Sequence, residues 1–434
     1  MIDLDDLRQN PAKYQDAATK KGIKISIEDF IAVDAKRREL QVAVDDMRAE
    51  KNTVSKKIPT MSDDERAKAL DAMKKLSAKM KKDEDALDAA QAQWTEMQYG
   101  LPAIPLDSVP VGKTEADNVE VRKEGDTSVM LGDNPPKKPK DHVALGEALD
   151  IIDIARGVKV SGSRNYFLKG NGARLHHAVL SFTMDHLAAK GWTLFSPPLL
   201  ATYDCFVGTG FFPGGEENQI YVVGGKNEES GEMESDELHL IGTSEVTVCS
   251  YHKDEVVTDL PKKYAGYSAC FRREAGTYGK DTKGLYRVHQ FEKVEQVVLC
   301  KADQKEALKI FEEIRNNAEE ILQALKLPYR VLDICTGDMG KGKVYMQDIE
   351  TWMPSRDSYG ETHSCSYLGD YQARRLNIKY EEGGEKRFVH TLNNTCIASP
   401  RILIPILEMY QNENGSITVP EALRPYMGGT ELIE

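Results

Sequence analysis

Hydrophobic residues recur every seven positions in two long segments near the amino terminus. They are Val33, Leu40, Met47 and Val54 in the first segment, and Met73, Met80, Leu87 and Trp94 in the second. This spacing is typical of helices that pack together as a coiled coil. Pro59 ends the first helix, and Ser62 with Glu65 resembles a capping box that begins the second. The short connection predicts an antiparallel helical hairpin over about residues 28–99.

Two proline-rich stretches follow this hairpin, GLPAIPLDSVPVG and NPPKKPKDH. They predict a linker over residues 106–141, between an amino-terminal domain of residues 1–105 and a carboxy-terminal domain of residues 142–434. In the second domain, β-rich runs such as LHLIGTSEVTVCSYH and YRVHQFEKVEQVVLC outnumber the helical segments and do not strictly alternate with them. The predicted fold class is therefore α+β, with an antiparallel sheet and flanking helices in addition to the hairpin.

Composition restricts the classes of partner. The 434 residues, 40% of them hydrophobic, are enough for a sizeable core. The net charge of -13 argues against a general attraction to nucleic acid or lipid, so a polyanion would need a local basic patch. The sequence shows no signal peptide and no apolar run that could span a membrane. Seven cysteines without a C-x-x-C pair predict reduced thiols in a cytoplasmic protein, with no zinc site.

A local basic patch occurs in the stretch CFRREAGTYGKDTKGLYRVHQFEKVEQ, which predicts two strands joined by a glycine-containing loop. Its basic residues include Arg272, Arg273, Lys280 and Lys283. Arg272 and Glu274 are expected on one face of the first strand, and Phe291 and Glu295 on one face of the second. Because arginine binds phosphate bidentately and a carboxylate accepts from an exocyclic amine, the pattern suits a nucleoside triphosphate. A surface hairpin of compensating charges is the alternative.

Two further clusters carry candidate chemistry. LIGTSE places Thr243, Ser244 and Glu245 after an apolar run, where they could hold the ammonium and side chain of a small amino acid. NNTCIASPRILIP leads from Thr395 to Arg401, which is expected in the first turn of an apolar helix. A cation is unfavourable at that end of a helix, so a bound anion would explain Arg401.

Taken together and in this order, the segments resemble the class II aminoacyl-tRNA synthetases, and among them the seryl-tRNA synthetases of bacterial and eukaryotic type. WTLFSPPLL is similar to the first motif of the class, where Pro197 or Pro198 would lie at a dimer interface. FRREAGT with HQFEKVE is similar to the second motif, NNTCIASPR and the apolar helix after it to the third, and the tail ITVPEALRPYMGG to the usual carboxyl end of the family.

This resemblance implies ATP- and Mg²⁺-dependent attachment of L-serine to serine tRNA through a seryl-adenylate, and leaves serylation of selenocysteine tRNA open. It also implies a homodimer in which the helical hairpin of one subunit grips the tRNA bound to the other. The lysines expected to contact the tRNA are Lys51, Lys56, Lys57, Lys74 and Lys75.

The resemblance further implies roles for individual residues of the site. The serine-binding residues are Thr243, Ser244, Glu245, Arg272, Glu295 and Thr395. The ATP-binding residues are Arg272, Arg273, Glu274, Val288, His289, Gln290, Phe291, Glu361, Thr362, His363, Ser364 and Arg401, with Phe291 stacked on the adenine. The catalytic set is Arg272, Glu274 and Arg401, and Glu361 and Ser364 would hold the magnesium ion.

Some residues depart from the family pattern, and some alternatives stay open. Thr362 and His363 replace the more usual aliphatic residue and serine, and His363 is expected on the solvent side, with a charge that could change near neutral pH. The hairpin alone would also suit a dimerisation device or a spacer. A catalytically silent RNA-binding paralogue and a ligase that loads a carrier protein are two other functions to be tested.

Overall fold

The computed structural model describes residues 2–213, 217–227, 230–276 and 284–434. The chain divides into two compact units, Met1–Pro102 and Ala103–Glu434. The helices are α1 (Leu4–Gln9), α2 (Pro11–Lys20), α3 (Ile27–Lys57), α4 (Asp63–Gly100), α5 (His142–Ala148), α6 (Ile154–Ser161), α7 (Gly170–Ala189), α8 (Tyr203–Thr209), α9 (Glu245–Ser250), α10 (Gln304–Ala324), α11 (Tyr371–Leu376) and α12 (Leu403–Met409). The strands are β1 (Val119–Glu124), β2 (Ile152–Asp153), β3 (Phe167–Leu168), β4 (Thr193–Phe195), β5 (Leu200–Thr202), β6 (Val222–Lys226), β7 (Met233–Leu240), β8 (Lys262–Phe271), β9 (Gln290–Cys300), β10 (Tyr329–Asp333), β11 (Tyr345–Met353), β12 (Ser358–Gly369), β13 (Lys379–Glu382), β14 (Glu385–Phe388), β15 (His390–Ser399), β16 (Ile417–Thr418) and β17 (Leu432–Ile433).

The first unit contains the predicted helical hairpin, formed by α3 and α4. Its seam is a cluster of apolar side chains contributed by Leu40, Val44, Met47, Leu76, Met80 and Leu87. Arg37 of α3 bonds Gln91 of α4, and Arg48 of α3 bonds Glu84 of α4. The later residue of α3 pairs with the earlier residue of α4, so the two helices are antiparallel. The predicted capping box is also present, since the Glu65 carboxylate accepts the Ser62 backbone N–H at 3.0 Å.

A buried carboxylate, which the sequence reading did not predict, connects the helices of this unit. Asp34 is 1% exposed. It accepts from Arg8 Nε at 2.9 Å and from Trp94 Nε1 at 3.0 Å. Arg37 and Arg38 lie 3.3 and 3.1 Å away. One carboxylate therefore joins α1, α3 and α4 at the end of the hairpin opposite its turn.

We expect Asp34→Ala to lower the free energy of unfolding of this unit by about 3 kcal/mol, because it removes a buried carboxylate and leaves the partly buried guanidinium groups of Arg8 and Arg37 without their anion. Burial alone would raise the pKa of Asp34, but the hydrogen bond and charge of Arg8 hold it below its ordinary value of 3.8. The stabilisation is therefore present above about pH 3.8 and is lost as the pH falls below it. Denaturant titrations followed by Trp94 fluorescence measure both effects. Asp45→Ala, at an exposed position of α3, should change little, and an equal loss in both variants would contradict the assignment.

The described part of the second unit is built around an eight-stranded sheet in the order β1-β10-β11-β12-β15-β9-β8-β4. Neighbouring strands are antiparallel except for β4, which pairs parallel to β8 at one edge. Helices α7, α10 and α12 bury Leu175, Ile314 and Ile406 in one core with Val298 of β9. The predicted α+β class is confirmed.

Two expectations about this unit are wrong. Residues 106–141 are more than a linker, because they contain β1, which pairs with β10. Prolines favour extended backbone, which suits an edge strand as well as a connector. The run TSEVTVCSY forms α9 rather than a strand, although its β-branched residues favour sheet. Tertiary packing accompanies the helix, since α9 lies against Gly266, where an added Cβ would be 3.0 Å from Val248 Cγ2.

The seven cysteines all carry free thiols, as the sequence predicted. Six of them are buried and Cys205 is partly exposed. Across the described ranges, none of the helices combines the length and the apolar character needed to cross a membrane.

Candidate active site

An open cleft of about 530 Å³ lies in the second unit, where the segments after β8, before β9 and after β15 meet. The predicted site residues that line it are Arg272, Glu274, Val288, Phe291, Glu361, Thr362, Thr395 and Arg401. Arg272 and Arg401, which are far apart in the sequence, therefore face the same cleft.

Two β-bulges shape its floor. In β12, Ile349 pairs with His363 while Glu350 pairs with Glu361, so Thr362 is the extra residue. In β15 the register shifts between Thr395 and Ile397. A bulge breaks the alternation of side chains, and this is how the adjacent residues Glu361 and Thr362 both come to line the cleft.

Arg401 is held in the cleft by backbone carbonyls. Its Nε donates to the Tyr286 carbonyl oxygen at 3.0 Å, and its guanidinium also donates to the Glu361 carbonyl oxygen at 3.0 Å. The guanidinium carbon lies 4.5 Å from the Tyr286 ring centroid. Helix α12 begins at Leu403, so Arg401 precedes the helix instead of occupying its first turn as predicted. Its position thus follows from these contacts and does not need a helix-dipole argument.

Arg272 also faces the cleft and lies next to the ring predicted to stack on adenine. Its guanidinium carbon is 5.4 Å from the Phe291 ring centroid, and its Nε donates to the Gly242 carbonyl oxygen at 3.4 Å. Glu274 is paired with Arg287 at 3.5 Å across the cleft entrance. The cleft thus offers an aromatic face with one arginine beside it, and a second arginine contributed by a distant segment of the chain.

The predicted alternation along the first strand of this hairpin is wrong beyond Phe271. Strand β8 ends there, and Glu274 has a positive φ of 50°. The chain leaves the sheet because Gln219 replaces the strand partner, accepting the Arg273 N–H at its carbonyl and the Ala275 N–H at its side chain. Lys280 and Lys283, part of the predicted cationic loop, lie outside the described residues.

A buried polar cluster adjoins the cleft. Lys293 and Glu295, both nearly inaccessible, form an ion pair. Thr395 Oγ1 donates to Glu295 at 3.3 Å and is 3.4 Å from Lys293 Nζ. The structure thus brings together the predicted residues Glu295 and Thr395 and adds Lys293, which the sequence reading missed. The signal was available, since residues 291, 293 and 295 share one face of a strand.

Glu245 lies beside this cluster. Its carboxylate accepts from Gln372 Nε2 at 2.7 Å, and its backbone N–H donates to Thr243 Oγ1 at 3.3 Å. Burial raises the pKa of Glu245 to about 7, and the negative charge of Glu295 adds to the rise. Ser244 is different, because it is fully buried and its hydroxyl donates to the Gly266 carbonyl at 3.1 Å. The structure therefore gives Ser244 a packing role in place of the predicted serine contact.

Residues 1–105 match the family described as the seryl-tRNA synthetase N-terminal domain, and residues 228–410 match the tRNA synthetase class II core domain (G, H, P, S and T). The chain is 45% identical to the serine–tRNA ligase of Deinococcus radiodurans over 100% of this chain and 99% of that protein. The chain belongs to the seryl-tRNA synthetase family. The seryl-tRNA synthetase of Pyrococcus horikoshii, solved in complex with ATP, gives a TM-score of 0.85 at 34% identity, covering 100% of this chain and 99% of that one.

A second solved member of the seryl-tRNA synthetase family comes from Naegleria fowleri and was crystallised in complex with AMP. It gives a TM-score of 0.80 at 30% identity over 98% of this chain and 96% of that one. The class II fold predicted for the second domain is thus confirmed.

Other residues predicted to bind ATP do not line the cleft of this family member. Arg273 and Gln290 are exposed, and His289 Nδ1 lies 2.9 Å from the Arg272 carbonyl oxygen, so that it supports the backbone. Ser364 pairs with Asp348 in the strand ladder.

His363 is buried, contrary to its expected place on the solvent side. It is 1% exposed, and its Nδ1 lies 2.8 Å from Thr362 Oγ1. Burial lowers the pKa of His363 to about 3, so the imidazole stays neutral near pH 7. The expected change of charge near neutral pH is therefore wrong. The bulge at Thr362 shifts the alternation of side chains at this position.

Two side chains that the sequence did not predict, Tyr286 and Arg356, lie close to Arg401. Tyr286 lines the cleft, and the guanidinium carbons of Arg356 and Arg401 lie 4.4 and 4.5 Å from its ring centroid. The ring packs where Gly360 leaves room, since a Cβ there would be 3.0 Å from Tyr286. No motif around Arg356 signals this proximity in the sequence.

Proposed function

We propose that this chain attaches L-serine to serine tRNA in two steps, through a seryl-adenylate formed from serine and ATP. The observation that carries the proposal is that Arg272 and Arg401 face one cleft, beside the buried cluster of Glu295 and Thr395. In the first step the serine carboxylate attacks the α-phosphorus of ATP and pyrophosphate leaves. In the second step a terminal ribose hydroxyl of the tRNA attacks the adenylate carbonyl and AMP leaves.

The ends of the cleft suit the ends of a bent ATP molecule. Adenine would stack on Phe291, with Glu274 near its exocyclic amine. Arg272, which lies next to Phe291, would hold the α-phosphate, and Arg401 the γ-phosphate. The attacking group is already a carboxylate, so catalysis in the first step rests on positioning and on neutralising charge at phosphorus.

The carboxylates near the phosphate end fit a magnesium ion. Asp348 Oδ1 is buried and has no hydrogen-bond partner in the described part of the chain. Burial first, and then the charge of Glu361, raise the pKa of Asp348 well above its ordinary value. Oxygen ligands of this kind are those that Mg²⁺ prefers. Glu361 and Ser364 would hold the ion next to Asp348, and the bound ion would neutralise phosphate charge.

The buried polar cluster explains selection of serine. Glu295 and Thr395 would bond the serine hydroxyl, and alanine would leave them unpaired at about 1–3 kcal/mol per group. Glu245 would pair with the serine ammonium. Lys293 and its neighbours would leave too little space for an amino acid with a larger side chain.

Serine binding should depend on pH through Glu245. Because the pKa of Glu245 is about 7 in the free protein, a pH below 7 protonates the carboxylate that would pair with the serine ammonium. We expect the KM for serine to rise about 25-fold between pH 7.5 and pH 5.5, and to level off above pH 8. Pyrophosphate exchange at saturating ATP measures it. Glu245→Gln should raise KM at every pH and flatten the profile, whereas a variant that keeps the full pH dependence would assign the titration elsewhere.

The helical hairpin would bind the tRNA. Lys56, Lys57, Lys74 and Lys75 are exposed along α3 and α4, and Lys51 is partly buried. Lys75 is paired with Asp71 at 2.8 Å, as in a mixed-charge surface. A few lysines on a stiff rod suit recognition of RNA by shape and backbone, without a basic surface that would bind every RNA.

A homodimer would let the hairpin of one subunit reach the tRNA of the other. The supporting observation is a group of exposed leucines at and just after β4, the edge strand of the large sheet: Leu194 on β4, Leu199 in the following segment and Leu200 on β5 are between 37 and 43% exposed. Exposed apolar side chains at a sheet edge favour an interface with another chain. Analytical ultracentrifugation of wild type and Leu194→Glu tests this part of the proposal.

Aminoacylation of total tRNA with each amino acid in turn tests the proposed function as a whole. Charging with serine alone is the expected result. Serine-dependent pyrophosphate exchange without tRNA charging would favour a ligase for another carrier. A chain that supports neither reaction would be a silent RNA-binding paralogue. Serylation of selenocysteine tRNA is measured in the same assay with that tRNA.

A further inference from the structure

A group of three metal-ligand side chains lies on the face of the sheet that packs against α7. His176 and His177 are consecutive residues of α7, and Glu292 belongs to β9. Their candidate ligand atoms all lie within 4.8 Å of one another. Residues 291, 293 and 295 turn to the cleft and its polar cluster, whereas Glu292 turns to the opposite face. The group is therefore distinct from the ATP cleft.

The orientation of His176 suits coordination. Its Nδ1 is 2.8 Å from Ser399 Oγ, and its Nε2 is 3.4 Å from Glu292 Oε2. Two ligand atoms at about 2.1 Å from a tetrahedral ion are about 3.4 Å apart, which is the spacing found here. When Nδ1–H donates to the serine hydroxyl, Nε2 carries the lone pair that a metal needs.

Glu292 is also held by an outer partner. The Tyr267 hydroxyl donates to its Oε2. Ligands in metal sites are commonly oriented by such second hydrogen bonds.

His177 supplies the third ligand from the solvent side. Neighbouring helix positions diverge by about 100°, so the two imidazoles approach Glu292 from different sides. Their ring centroids are 5.0 Å apart and their planes are inclined by 72°. His177 is exposed, so its side chain can turn toward the ion and leave a coordination position open to water.

We propose that His176, His177 and Glu292 bind one divalent transition-metal ion of the Zn²⁺ or Co²⁺ type. Two imidazoles and one carboxylate with an open fourth position form a known zinc ligand set, whereas Mg²⁺ prefers oxygen ligands alone. The expectation that the chain has no zinc site was based on its scattered cysteines. It concerned a site with cysteine ligands, whereas the ligands here are histidine and glutamate. The proposal does not depend on the proposed synthetase activity.

Metal binding here would act on the edge of the cleft. Ser399, which bonds the His176 imidazole, lines the cleft two residues before Arg401. A bound ion would fix the imidazole and, through it, the serine hydroxyl.

The test is a titration of the full chain, freed of metal with EDTA, with Co²⁺ followed by visible absorption and then displaced by Zn²⁺. We expect one equivalent of Co²⁺ to bind with an absorption band that Zn²⁺ removes and Mg²⁺ does not. His177→Ala, at an exposed position that leaves the fold intact, should weaken binding more than about 100-fold.

His186→Ala is the matched control, since His186 lies on the same helix and pairs with Glu320 at 2.8 Å. Its Co²⁺ affinity should equal that of the wild type. The proposal is overturned if the wild type shows no saturable binding, or if His177→Ala binds as tightly as the wild type or no worse than His186→Ala.

Discussion

Replacing Arg272 with alanine is expected to lower kcat/KM for serine-dependent pyrophosphate exchange about 1,000-fold. The guanidinium lies beside Phe291 and faces the cleft, where it would neutralise the charge that develops on the α-phosphate. That charge exists most fully in the transition state, so the loss should fall on kcat more than on the KM for ATP.

Two further variants make this result specific. Arg272→Lys keeps the charge but loses the bidentate fork, and should still cost about 100-fold. Arg387→Ala removes an exposed arginine of β14 and should leave the exchange rate unchanged. If Arg272→Ala lost less than about fivefold, the α-phosphate would be bound elsewhere.

Removing the outer part of the helical hairpin is expected to separate the two steps of the reaction. Arg37 faces Gln91 across the hairpin, so residues 41–88 can be replaced by a short Gly-Ser connection while Asp34 and its partners stay in place. Aminoacylation should fall about 1,000-fold, because about 4 kcal/mol of tRNA binding is lost. Pyrophosphate exchange should remain within about twofold, since the cleft lies in the second unit.

A matched charge variant tests the cause of that loss. Changing Lys51, Lys56, Lys57, Lys74 and Lys75 to alanine keeps the rod and removes the cations. It should weaken tRNA binding and flatten its dependence on salt. An equal fall in aminoacylation and pyrophosphate exchange after the truncation would show that the hairpin is needed for the catalytic unit itself.

Periodicity accounts for the elements that the sequence predicted well. The heptad spacing located both helices of the hairpin, and the Ser62–Glu65 box located the start of α4. The sheet followed from its β-rich runs. The strand predicted over TSEVTVCSY was wrong because contact with Gly266 outweighs the β-propensity of these residues. No local sequence pattern indicates such a contact.

The site was predictable where chemistry is carried by motifs and unpredictable where geometry depends on irregular backbone. Arg272, Arg401 and Thr395 were found from their motifs and do line one cleft. The bulge at Thr362 and the burial of His363 were not predicted from a motif. One extra residue in a strand moves every later side chain to the opposite face of the sheet. Asp348 was missed since its importance comes from burial opposite Ser364.

Calorimetric binding of ATP and of a non-hydrolysable seryl-adenylate analogue to two variants tests the central claim most directly. That claim is that Arg272 and Arg401 hold opposite ends of one triphosphate beside a serine pocket. The analogue has no γ-phosphate, so Arg401→Ala should weaken ATP about 30-fold and leave the analogue unchanged, whereas Arg272→Ala should weaken both. If Arg401→Ala weakened both ligands equally, or neither, the assignment of the two arginines to one bound ATP would be contradicted.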